Sequence, residues 1–236
     1  MRKRPPSPAL QKHMLRRILR RFPVQSWAGS VTAFETLIGT ILSQNTNDVN
    51  RDTAMNGLRN RFEITPQALS RAPIDELMEC IRPAGLYRVK APRIKEVSRI
   101  ILDRFGGDLD SVLKKKPNEA RSILMEFPGV GYKTADILLA FVTGYATIPV
   151  DTHVMRVSKR LGIVRRDAGY EETRLALETL VPAPERMRMH LSLIRFGREI
   201  CKAPIPLCPK CLVNRTCPSS TTCRKRQRDT RERKKE

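Results

Sequence analysis

Phe127-Pro128-Gly129-Val130-Gly131-Tyr132-Lys133-Thr134-Ala135 is the stretch that decides how this chain is organised. Apolar residues recur at helical spacing before it, over 117–127, and after it, over 133–143. Pro128–Gly131 must therefore be a tight hairpin joining two helices. Glycines one residue apart let backbone N–H groups reach an anion with no Cβ in the way. The helix that starts there adds its positive end. Such a turn suits a DNA phosphate, a contact that positions a duplex without reading a base. Gly-x-Gly turns also serve structure alone, so this motif needs support from the rest of the chain.

Outward from the hairpin the helical period continues almost everywhere. Residues 9–22 place Leu10, Met14, Ile18 and Phe22 on one face, with Arg and Lys between them. Phe34, Leu37, Ile38, Ile41 and Leu42 form the broad stripe of a buried helix. Helices also fit 48–62, 66–70, 74–81, 88–105, 152–161, 170–180 and 184–200. Several open with Pro near the first turn and close on Gly, as helix ends prefer. The best strand candidate, 146–150, is too short to found a sheet. The fold class is all-α, with about ten helices. No repeat and no Gly/Ser-rich linker divides the chain, and its character changes only after Ile200, where Pro and Cys replace helical periodicity.

Lys plus Arg number 45 against 24 Asp plus Glu, a net charge of +21 on 236 residues. The first 21 residues carry +8 and the last 13 carry +5. Charge of this sign and size favours nucleic acid through phosphate contacts and counterion release. A hydrophobic fraction of 40 % is enough to fold. The longest apolar run, 137–142, is far below the ~20 residues of a membrane span. The basic start is followed by no apolar segment of the secretory kind. Integral membrane and secreted proteins are thereby excluded, and an intracellular protein with a polyanionic partner is expected. Aromatic residues, at 5 %, are too few for rows of base-stacking rings. The run Arg224–Glu236 contains no apolar residue and reads as a solvated, disordered tail.

Four of the six cysteines, Cys201, Cys208, Cys211 and Cys217, fall within 17 residues, spaced C-x6-C-x2-C-x5-C among prolines. Thiolates this close on an irregular chain can converge on one inorganic centre. Two disulfides are the alternative, at odds with an intracellular protein. Structural zinc is the other competitor, but zinc sites usually show two C-x2-C knuckles and only one is present. Cys80 and Cys223 read as ordinary thiols.

Lys133 falls in the first turn of the helix after the hairpin, where the dipole disfavours the ammonium form and eases access to the free amine. A solvated helix lysine is the plain alternative. Asp151, in Val150-Asp151-Thr152-His153, reads first as an N-cap, and His153 as a structural histidine.

Together these segments resemble the endonuclease III family of DNA repair glycosylases, in the helix-hairpin-helix glycosylase superfamily with an iron–sulfur loop. The resemblance rests on 127–135, on Val150-Asp151-Thr152-His153-Val154-Met155-Arg156-Val157, and on the four-cysteine spacing. Ile41-Leu42-Ser43-Gln44-Asn45-Thr46-Asn47-Asp48 and Gly85-Leu86-Tyr87-Arg88-Val89-Lys90-Ala91 are similar to two further family segments. It runs in the family's order from about residue 20 to residue 218.

The resemblance implies two helical lobes flanking a DNA-binding cleft. A six-helix barrel with the hairpin spans 26–145, an iron–sulfur domain combines 1–25 with 146–218, and 219–236 is a basic tail. The implied activity is removal of oxidised or damaged pyrimidines from duplex DNA, followed by cleavage of the abasic strand through β-elimination. By the same resemblance Lys133 is the Schiff-base nucleophile and Asp151 the assisting carboxylate. Gly129, Val130 and Gly131 hold phosphate, and Leu86 is an apolar wedge in the base stack. Gln44 or Asn45 fills the gap left by the flipped base; the family usually has glutamine in the place of Asn45. Cys201, Cys208, Cys211 and Cys217 would ligate a 4Fe-4S cluster. The protein is expected to be a monomer acting in the cytoplasm or nucleoid, or in the nucleus if eukaryotic. The rival readings are a mismatch-type thymine or uracil glycosylase of the same superfamily, against which Lys133 argues, and a non-enzymatic DNA binder.

Overall fold

The structure, a computed structural model, describes residues 5–24 and 32–220. Cys223, the tail from residue 221 onward and the domain boundary expected at 25/26 lie outside the described residues. Those described form twelve α-helices and three short 3-10 turns, with no strand. The chain divides into two compact units, Ala28–Tyr145 and a second made of Met1–Trp27 with Ala146–Glu236.

The unit Ala28–Tyr145 contains α2 (Ala33–Leu42), α3 (Asp48–Arg61), α4 (Pro66–Arg71), α5 (Ile74–Ile81), α6 (Tyr87–Phe105), α7 (Leu109–Leu113), α8 (Pro117–Met125) and α9 (Tyr132–Val142). A 3-10 turn, Arg82–Ala84, joins α5 to α6. Two of these helices, α4 and α7, have only six and five residues, which leaves six longer ones. Side chains of Thr32, Asn47, Thr65 and Asp108 cap α2, α3, α4 and α7, each accepting from the backbone N–H three residues on. The stripe of α2 is the centre of this unit's core: Leu37, Ile38, Ile41 and Leu42 are fully buried. Close packing of α3 on α5 depends on Gly57, because a Cβ there would stand 2.8 Å from the Cys80 carbonyl oxygen.

The other unit contains α1 (Pro8–Arg21), α10 (Thr152–Leu161), α11 (Tyr170–Leu180) and α12 (Arg186–Glu199), then the cysteine loop with a 3-10 turn at Cys208–Lys210. Met14, Leu15 and Ile18 of α1 join Val154, Val157 and Leu161 of α10 and Leu193 and Phe196 of α12 in its core. The Phe22 ring meets Phe196 edge-on, with centroids 5.6 Å apart.

Residues 146–150, the strand candidate, form no strand. Side chains satisfy their backbone instead, as buried polar groups require. Glu178 accepts from the Ile148 N–H at 3.2 Å and the Tyr170 hydroxyl accepts from the Val150 N–H at 3.2 Å. Arg186 donates to the Ala146 carbonyl at 2.6 Å, and His190 Nδ1 lies 2.8 Å from the Pro149 carbonyl. This cradle fixes the approach to Asp151.

Candidate active site

In the unit Ala28–Tyr145 the hairpin has the expected form. Gly129 has φ 77°, a left-handed conformation that favours glycine, and a Cβ there would also press on the Arg93 side chain at 3.0 Å. Gly131 is different. Its φ of −108° suits any residue, and a Cβ would meet nothing within 4 Å. Glycine at 131 therefore keeps open the space before the first turn of α9, which has no side-chain cap. Val130 is buried and anchors the turn in the core. Lys133 lies in the first turn of α9, half-buried, directly after exposed Tyr132. One turn further along, buried Asp136 pairs with Arg121 at 2.8 Å, and the Arg121 guanidinium sits 5.1 Å from the Tyr132 ring centroid.

Gln44 and Asn45, left as alternatives by the sequence, are placed differently. Gln44 Nε2 donates to the Gly129 carbonyl at 2.9 Å, so its amide is occupied by the hairpin. Asn45 is exposed and has φ 55°. Leu86 is 55 % exposed with φ 50°. Among the described residues these are the two non-glycine positions with positive φ. For an L-residue the left-handed region costs roughly 1–2 kcal/mol, and for leucine no local hydrogen bond offsets it. Strain held at an exposed apolar tip points to a binding role, not to packing. Beside Leu86 the guanidiniums of Arg82 and Arg88 lie 5.5 and 5.8 Å from the Tyr87 ring centroid. Hydrogen bonding to Arg82, with the charges of both arginines, pulls the Tyr87 phenol below its usual range.

In the other unit Asp151 is the N-cap of α10: its Oδ1 accepts from the Val154 N–H at 2.7 Å. The cap reading of the sequence is thus correct, and it fixes one carboxylate oxygen. His153 Nδ1 lies 3.0 Å from the Arg156 guanidinium, consistent with a structural histidine. Arg156 also donates to the Cys201 and Gly197 carbonyls, and Arg160 to the carbonyls of Cys201 and Lys202. Burial lowers the Arg156 pKa from its usual value. Arg160 further reaches the Cys201 sulfur at 3.5 Å. The sequence reading missed both arginines; their only signal was i, i+4 spacing on a helix ahead of the cysteines.

Cys201, Cys208, Cys211 and Cys217 line one cavity of about 580 Å³, together with Arg156, Arg160 and Phe196. Ser219 and Ser220, the first residues of the expected tail, also line it, and Ser220 is buried. The five described cysteines are free thiols, contrary to the disulfide alternative. Burial pushes the Cys217 thiol up to about 11, and Cys201 and Cys211 act in the same direction. Among the described residues no three His, Cys, Asp or Glu stand close enough to hold a single ion. Four cysteines lining one cavity are a donor set that suits iron–sulfur ligation.

A family profile described as HhH-GPD superfamily base excision DNA repair protein matches residues 38–183. The chain is 38 % identical over 208 residues to endonuclease III of Thermotoga maritima, covering 87 % of this chain and 91 % of that one. It is 35 % identical to endonuclease III of Bacillus subtilis, covering 78 % and 80 %. Among solved structures it is similar to a trapped endonuclease III–DNA covalent intermediate, at 32 % identity and TM-score 0.82, with 92 % and 98 % of the chains covered. A thermostable thymine-DNA glycosylase, 22 % identical with TM-score 0.75, shares the fold alone.

A helical base excision repair fold with a glycine hairpin and a lysine at the next helix start defines the class. Within that class, the chain belongs to the endonuclease III family of the HhH-GPD superfamily. It is accordingly a DNA N-glycosylase and abasic-site lyase. Members of this family generally hold a 4Fe-4S cluster.

Proposed function

We propose that Lys133 is the nucleophile with which this chain removes damaged pyrimidines from duplex DNA and then cuts the abasic strand. The supporting observation is its place in the first turn of α9, two residues past a hairpin whose Gly131 leaves the helix start open. The Nζ lone pair forms a bond to the sugar C1′ as the glycosidic bond breaks and its electron pair leaves with the base. Opening of the sugar ring leaves an imine between Lys133 and C1′. The imine acidifies the neighbouring C2′–H, and loss of that proton expels the 3′ phosphate. Asp151 moves protons in these steps and steadies the positive charge that develops on the sugar.

The hairpin Gly129–Gly131 and the cationic group around Tyr87 hold phosphates. Asn45 and Leu86 fill the space vacated by the flipped base, since each is exposed in a strained backbone, whereas the Gln44 amide is engaged by the hairpin. Cys201, Cys208, Cys211 and Cys217 hold the 4Fe-4S cluster, with Arg156 and Arg160 fixing the loop around it. When bound, the cluster supplies iron–thiolate bonds that stiffen this loop, a structural contribution. The protein acts as a monomer, inside the cell where its DNA substrate lies.

A strand-cleavage panel tests the reading. Thymine glycol and dihydrouracil duplexes should be cut, and borohydride should trap a covalent adduct on an abasic duplex. Activity confined to mismatched thymine or uracil, with no adduct, would overturn it.

A further inference from the structure

Lys90 is 1 % exposed, and an ammonium so deeply buried needs full compensation. It occupies the first turn of α6, in the phase of the apolar stripe continued by Ile94, Val97 and Ile101. Its Nζ donates to the Leu42 carbonyl at 2.8 Å and to the Ala84 carbonyl at 2.9 Å. Leu42 is the last residue of α2, and Ala84 the last of the 3-10 turn before α6. Both carbonyls therefore belong to helix ends, where backbone acceptors lack partners within the helix. Burial lowers the Lys90 pKa, so the site bears an electrostatic cost.

Stability alone does not call for a cation here. An apolar side chain of similar volume is often as stabilising as a buried charge. What the ammonium uniquely does is join two chain ends that lead to the two strained loops. Three residues beyond Leu42 is Asn45, and two beyond Ala84 is Leu86. We propose that Lys90 is a positioning residue that presets both DNA-gap loops by tying the end of α2 to the turn before α6. This rests on the gap-filling roles of Asn45 and Leu86 proposed above. The ligand whose binding it governs is duplex DNA with one extruded nucleotide.

The test compares cleavage of an abasic site in duplex and in single-stranded DNA, because only the duplex requires extrusion and filling of a gap. Lys90→Met keeps the side-chain volume and removes the donors. With unchanged helical circular dichroism it should slow duplex cleavage roughly tenfold, a coupling of about 1.4 kcal/mol, and leave single-strand cleavage within about twofold. A 2-aminopurine opposite the site should show a matching loss of its unstacking signal. Combined with Leu86→Ala, Lys90→Met should add less than it costs alone, since part of its action runs through the Leu86 loop. Lys90→Gln, one atom shorter but still a donor, should lie between wild type and Lys90→Met, and it carries the same comparison should the methionine variant not fold.

Equal slowing of both substrates would reduce Lys90 to a structural role and overturn the proposal. So would full duplex activity in Lys90→Met while Leu86→Ala is slow. Full duplex activity in Leu86→Ala and Asn45→Ala would instead bring down the gap-filling reading itself, and the Lys90 proposal with it.

Discussion

Asp151 holds two positions at once, cap of α10 and candidate catalytic carboxylate, and conservative substitution separates them. Asparagine caps a helix about as well as aspartate, so Asp151→Asn should retain the 2.7 Å bond to the Val154 N–H. It loses only the interaction of a negative charge with the helix N-terminus, about 0.3–1 kcal/mol. At about 2–4 °C per kcal/mol for a chain of this size, Tm should fall by roughly 1–4 °C. Asp151→Ala loses the cap as well, a further ~1 kcal/mol, and should melt another ~2–4 °C lower. The chemistry should divide differently. If Asp151 moves protons, both variants should lose roughly 10²–10⁴-fold in single-turnover base removal. Scanning calorimetry and single-turnover kinetics on a thymine glycol duplex read the two effects independently. An asparagine variant at wild-type rate, or rates that follow Tm across the two variants, would refute the catalytic role and leave a capping residue.

Lys133→Gln should abolish borohydride trapping while abasic-duplex binding persists; an unchanged trapping yield would remove Lys133 as the nucleophile. Anaerobically purified protein should be brown with about four irons per chain, and a colourless, folded protein with stoichiometric zinc would exclude the cluster. Arg160→Met, which removes the cation 3.5 Å from the Cys201 sulfur, should hasten bleaching of the cluster absorbance in air, and an unchanged rate would make that contact incidental. Removing Arg224–Glu236 should weaken binding to all DNA alike and make the log–log salt slope shallower by up to ~0.9 per lost phosphate contact. Selective slowing on damaged bases would contradict that purely electrostatic role.

The all-helical class was legible because burial in a helix leaves a periodic trace: every position in the stripe of α2 that reads as buried is buried. What escaped leaves no such trace. Five-residue α7 is too short to show a period. Residues 146–150 have strand-like composition, but the groups that satisfy their backbone, Tyr170, Glu178, Arg186 and His190, lie 20 to 41 residues downstream. Lys90 stood in an apolar phase, which was a usable signal, yet its two acceptors come from separate turns that no local pattern links. Gln44 and Asn45 could not be ranked by residue type; the backbone at 45 and the bond from 44 to the hairpin distinguish them. Family motifs identified the chemistry because they are ordered along the whole chain, while each alone has an ordinary structural explanation.

Helix α10 begins at the Asp151 carboxylate and carries Arg156 and Arg160, which grip the cysteine loop. Its ten residues span about 15 Å of rigid rod. That length works as a gauge. One inserted residue would advance the carboxylate by about 1.5 Å and swing it by about 100° around the axis relative to the arginines. The register between Asp151 and the cysteine loop therefore tolerates substitution on the helix surface but no change in residue number.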